Sequence, residues 1–158
     1  MGIPNIPVRK SPRLKGYDYS SVGVYHVVVC AKNKAHVFGE IESAVVRLNP
    51  LGEIADRNAR AIDSHFPEAA LHVHVVMPNH VHLLIGIGTR EDSDTNAARH
   101  TLGGIVAAYK ASVSREAHCS VWQPRFYDRV IRNDDDYLGV WEYIQNNPSK
   151  WDTDEFYS

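Results

Sequence analysis

The run from Leu71 to Ile87 alternates apolar with polar residues on either side of Pro78-Asn79, and this constrains the fold more than anything else in the chain. It requires two strands joined by a turn. Side chains on a strand alternate faces, so His80 and His82 point one way while Val81, Leu83, Ile85 and Ile87 point into a core. For Leu71, Val73 and Val75 to join the same core, the connection Met77–Asn79 has to hold an odd number of residues. His72 and His74 then share the open face with the pair. Two imidazoles side by side on one face form a half-site for a divalent cation.

Composition sets the frame around that hairpin. A chain of 158 residues suits one domain with a sizeable core. At 44% apolar it reads as globular, and no run approaches the roughly 18–20 apolar residues that span a bilayer. The N-terminus lacks the apolar stretch of a secretion signal. Cys30 and Cys119 have no paired spacing, which suggests reduced thiols in a cytoplasmic protein without a disulfide or zinc framework. Net charge is −2, unlike the basic excess of many nucleic-acid binders. Its distribution is uneven, because residues 1–16 carry Arg9, Lys10, Arg13 and Lys15 and no acid, which permits a local basic footprint.

Residues 1–20 read as a basic arm and residues 21–158 as one catalytic-type domain. A strand is expected over Ser21–Ala31, then a turn-like stretch to Gly39. A helix begins at Asn49-Pro50 and runs to about His65, with Pro67 as its stop. Strands follow over Leu71–Met77 and His80–Ile87, then a polar surface loop over Gly88–Ala98. A second helix runs from His100 to about Ala117, a short extended piece covers Arg129–Arg132, and a last helix spans Asp135–Asn146. The order β-α-β-β-α-β predicts an α+β, ferredoxin-like split β-α-β antiparallel sheet, RRM-like, with an added C-terminal helix.

On that last helix Gly139, Tyr143 and Asn147 fall at i, i+4 and i+8 along one stripe, beside an apolar stripe of Tyr137, Val140, Trp141 and Ile144. If the helix crosses the open face, phenol and amide meet the two imidazoles. Two imidazole nitrogens and an amide oxygen can hold Mg²⁺ or Mn²⁺. The combination points to metal-assisted attack by a phenol on a phosphodiester. Asp134, Asp135 and Asp136 read as a helix N-terminus, since three consecutive residues there cannot converge on one point.

Over nearly its whole length the chain resembles the REP-associated tyrosine transposases, relatives of the single-tyrosine HUH transposases of small insertion sequences. The segments that carry the resemblance are Arg13-Leu14-Lys15-Gly16-Tyr17-Asp18-Tyr19, Phe38-Gly39-Glu40-Ile41, Met77-Pro78-Asn79-His80-Val81-His82, Trp122-Gln123-Pro124-Arg125-Phe126-Tyr127 and Tyr143-Ile144-Gln145-Asn146-Asn147-Pro148. The resemblance implies His80 and His82 as the metal-binding pair, Tyr143 as nucleophile and Asn147 as third protein ligand, where some relatives carry glutamine. It implies nicking and rejoining of single-stranded DNA at hairpins of the repetitive extragenic palindrome type, through a 5′-phosphotyrosine. Candidate DNA contacts are Arg9, Lys10, Arg13, Lys15, Arg125, Tyr127, Arg129 and Arg132, with Lys110 a weaker one. Insertion-sequence relatives form dimers that exchange the tyrosine helix. The short segment between Arg132 and Asp135 favours a tyrosine acting in its own chain, and homodimer and monomer both stay open.

Two other classes fit parts of the pattern. A hairpin-binding module on the same fold would bind without cleaving. A zinc or iron protein would act on small molecules through His72, His74, His80 and His82.

Overall fold

The β-branched runs and the capped amphipathic segments form the elements their sequences favour. The computed structural model describes residues 23–88 and 101–149. The basic arm and most of the polar loop after Gly88 lie outside the described residues. In chain order the elements are β1 (Gly23–Cys30), a 3₁₀ turn (Lys32–Lys34), β2 (Gly39–Glu42), β3 (Val45–Leu48), α1 (Pro50–Arg60), α2 (Ile62–His65), β4 (Ala69–Met77), β5 (His80–Ile87), α3 (Leu102–Ala117), β6 (Tyr127–Val130) and α4 (Asp134–Gln145).

The main sheet has the order β4-β5-β1-β6, every neighbouring pair antiparallel, which is the ferredoxin-like arrangement. One face buries Tyr25, Val27, Val29, Val81, Leu83 and Ile85 together with Ala55 and Ala59 of α1 and Ile105, Val106 and Val113 of α3. The other face carries α4, whose Val140 and Ile144 pack with Leu84, Val73 and Val75. Three helices start on side-chain caps. Asn49 accepts from the Gly52 amide at 2.8 Å, Thr101 from Gly104 at 3.0 Å, and Asn133 from Asp136 at 2.8 Å. Asp134, Asp135 and Asp136 occupy the first turn of α4, as the charge pattern suggested.

The parity expected of the β4–β5 hairpin is overturned. Its turn holds two residues, Pro78 and Asn79, so Met77 pairs with His80, Val75 with His82 and Val73 with Leu84. Cross-strand partners share a face, which puts Val73 and Val75 beneath α4, away from α1 and α3. A bulge at His72 then adds one residue and returns Leu71 to the helix-covered side opposite Ile85. Consequently His74 turns toward α1, where its Nε2 lies 2.7 Å from Asp56 Oδ1. His72 does reach the open face, with Nδ1 2.7 Å from the Tyr137 hydroxyl. Gly86 makes room for it, since a Cβ there would stand 2.5 Å from His72 Nε2.

Two smaller features differ from expectation. The helix expected to run from Pro50 to His65 breaks at Ala61 into α1 and α2. The turn-like stretch before it leads into a separate β2–β3 hairpin, whose Ser43-Ala44 turn has positive φ at both residues (53° and 63°). Neither residue is the Asn or Gly that usually marks such a turn, so the sequence carried no signal for it. Among the described residues no helix is long and apolar enough to cross a membrane.

Candidate metal and nucleophile site

The strand pair β1–β5 lays a row of imidazoles on the face that α4 crosses. His80 and His82 alternate with Val81 and Leu83 as period-2 geometry requires, and both are 0% exposed. Their Nε2 atoms stand 3.1 Å apart. His80 Nδ1 donates to Asn79 Oδ1 at 2.6 Å, because an amide oxygen can only accept, and this leaves the His80 Nε2 lone pair facing His82.

A third imidazole joins them that sequence reasoning passed over. His26, 3% exposed, sits on β1 opposite Leu84, one step along from His82, which pairs with Val28. Its Nε2 lies 3.0 Å from His82 Nδ1, with the two ring planes within 20° of parallel and their centroids 5.2 Å apart. A signal was available, since Val24, His26, Val28 and Cys30 share the phase opposite to Tyr25, Val27 and Val29.

α4 brings the phenol to this row. The Tyr143 ring stands edge-on to His82, centroids 5.4 Å apart and planes at 89°, and 6.1 Å from His26. At 37% exposed, Tyr143 lies between the buried histidines and solvent. Two contacts fix the helix: Arg129 Nη2 to Asp136 Oδ1 at 2.5 Å, and the Arg132 amide to Asp136 Oδ2 at 2.8 Å. Just past its end Asn147 is 2% exposed, and its Oδ1 is a buried acceptor with no hydrogen-bond partner among the described residues. Such an orphan costs about 1–3 kcal/mol unless something binds it.

These donors suit a hard or borderline divalent cation. A separation of 3.1 Å matches the roughly 3 Å expected of two nitrogens bound at a right angle with bonds of about 2.1 Å. No cluster of three His, Cys, Asp or Glu residues able to hold an ion occurs among the described residues, and a buried amide oxygen is another group that could serve as a ligand. The orphaned Asn147 oxygen is of that type.

The expected DNA contacts are only partly described. Arg9, Lys10, Arg13 and Lys15 lie outside the described residues. Arg125 and Arg132 are exposed, and half-buried Tyr127 packs beside Val28 and Cys30. Arg129 is committed to Asp136 through Nη2, while its buried Nη1 has no hydrogen-bond partner among the described residues. Lys110 donates to the carbonyls of Gln123 and Pro124 at 2.7 and 3.2 Å, and burial lowers its pKa against the opposing influence of Cys30. Trp122 packs in the core against Phe38 and Tyr109.

No protein-family model matches the chain. A Haemophilus influenzae protein (strain Rd), described only as uncharacterized, is 35% identical over 167 aligned positions, covering 94% of this chain and 93% of its own. Among solved structures, a REP-associated tyrosine transposase bound to a REP hairpin superposes with a TM-score of 0.63 at 19% identity, covering 87% of this chain and 73% of that one. A candidate transposase from Deinococcus radiodurans gives 0.49 at 20% identity, covering 85% and 95%.

Proposed function

We propose, from the premise that the chain belongs to one family with the Haemophilus influenzae protein and has the fold of a REP-associated tyrosine transposase, that it is itself such a transposase. It is a metal-dependent enzyme that nicks and rejoins single-stranded DNA at hairpins. The observation that carries this reading is the Tyr143 ring set edge-on to His82 beside the facing Nε2 pair.

His80 and His82 would hold Mg²⁺ or Mn²⁺ through Nε2, and Asn147 through Oδ1. When bound, the ion supplies orientation of the scissile phosphate and offsets the charge that develops there. Tyr143 Oη attacks phosphorus. An oxygen–phosphorus bond forms to the phenol while the bond to the 3′-oxygen breaks; the phenolic proton passes to solvent and the leaving 3′-oxygen takes one up to become the 3′-OH. The phosphoester is retained as a 5′-phosphotyrosine, so a 3′-OH can reverse the attack and join strands without ATP. The phenol needs this assistance, because an ordinary tyrosine has a pKa near 10.

The solved transposase of the same fold is bound to a REP hairpin, which supports a DNA hairpin as substrate here. Arg125, Arg132 and Tyr127 would contact it, together with the arm residues Arg9, Lys10, Arg13 and Lys15. Arg129 would act chiefly by holding α4 through Asp136.

The test is to incubate the protein with labelled hairpin oligonucleotides and Mg²⁺ or Mn²⁺ and look for an adduct that survives denaturation. Persistence of the adduct in Tyr143→Phe would remove Tyr143 as nucleophile. Hairpin binding by the wild type with no adduct under either ion would favour the non-cleaving module.

A further inference from the structure

We infer that His26 is a positioning residue for the cation site, holding His82 in the tautomer whose Nε2 lone pair faces His80. The inference rests on the metal reading above and adds a residue to it.

The argument is a count of protons. Neutral imidazole carries one N–H, and in a fully buried ring that N–H needs an acceptor. His82 has two choices. With the proton on Nε2, it points at His80 Nε2, 3.1 Å away, and no lone pair is left for a cation. With the proton on Nδ1, Nε2 is free to ligate, and His26 Nε2 at 3.0 Å is positioned to accept that proton. The ring planes are within 20° of parallel, and centroids 5.2 Å apart with nitrogens 3.0 Å apart set the two nitrogens between the rings, so the N–H of one points toward the lone pair of the other.

His80 receives the same support from a different residue, through its Nδ1 proton on Asn79 Oδ1 at 2.6 Å. Each candidate ligand thus has its Nδ1 proton accepted by a neighbour, Asn79 for His80 and His26 for His82. Metal-ligating histidines are commonly oriented by a hydrogen bond from the far ring nitrogen, and removal of that partner typically weakens metal affinity about 10–100-fold.

The test compares two substitutions that fill the same space differently. His26→Phe cannot accept a hydrogen bond, whereas His26→Gln offers Oε1. Mn²⁺ binding is followed by electron paramagnetic resonance, with thermal unfolding to verify the fold of each variant. The expected result is about 10–100-fold weaker binding in His26→Phe, recovery of most of that loss in His26→Gln, and no binding in His80→Ala. A folded His26→Phe that binds Mn²⁺ as the wild type does would overturn the inference alone. A wild type that binds no Mn²⁺, or a His80→Ala protein that binds it undiminished, would overturn the metal reading and this inference with it. Should His26→Phe not fold, long-range ¹H–¹⁵N spectra of the Mg²⁺-loaded wild type decide. A proton on His82 Nδ1 supports the role, and a bare Nδ1 refutes it.

Discussion

The two faces of the sheet are both buried, yet they are built from different chemistry. Beneath α1 and α3 the contacts are mainly Val, Leu, Ile and Ala with the aromatic rings of Tyr25, Phe38 and Trp122, and the buried Tyr109 hydroxyl donates to the Ala55 carbonyl at 2.9 Å. Burial, with nearby Asp56 adding to it, pushes that phenol far above its usual range, so Tyr109 stays neutral. Beneath α4 the apolar patch is small, and the space beside it holds the imidazoles of His26, His80 and His82. Tyr143 stands at its edge, reachable from solvent. One face therefore supplies stability by burying apolar area, and the other gathers hydrogen-bonded imidazoles beside a partly exposed phenol.

If that division is right, substitutions on the two faces separate function from stability. Tyr143→Phe has the largest effect, a loss of adduct formation of at least about a thousand-fold with unfolding free energy within about 0.5 kcal/mol of wild type. Labelled-hairpin assays and urea melts check the two halves. Leu83→Ala does the reverse: it costs roughly 2–5 kcal/mol in a urea melt, while the folded fraction keeps its Mn²⁺ affinity. Asp136→Ala sharpens the boundary, because it strips the acceptor from the Arg129 guanidinium and the Arg132 amide at once. A loss of roughly 2 kcal/mol is expected, with slower adduct formation and unchanged Mn²⁺ binding. Equal loss of both activities would mean that α4 and the histidine row are not separable. The smallest change is His74→Ala, under about 1 kcal/mol and silent in the adduct assay, since this imidazole meets Asp56 on the other side of the sheet.

Much of this division was legible in the residues. Alternation through His80-Val81-His82-Leu83 placed the imidazoles opposite the core, and the helical stripe of Val140 and Ile144 predicted the face on which α4 docks, whereas Asn147 lies beyond the end of that helix. Both readings survive because they depend on local periodicity alone. What failed was parity across the hairpin. A two-residue turn and a bulge at His72 each shift phase by one, and period-2 counting registers neither, so Val73, Val75 and His74 were placed on the wrong sides. The β2–β3 hairpin escaped because Ser43 and Ala44 adopt positive φ without the usual turn residues. His26 escaped for another reason. It was visible as a polar residue in an apolar strand, but its meaning depends on strand order, which brings β1 beside β5.

The placement of Tyr143 and the paired imidazoles within a single polypeptide has a kinetic consequence. If Tyr143 is the nucleophile, helix docking through the Asp136 tether and the Ile144 contact would set the effective concentration of phenol at the phosphate, whatever the frequency of encounters between molecules. Diluting the enzyme under saturating oligonucleotide then leaves the rate per molecule constant.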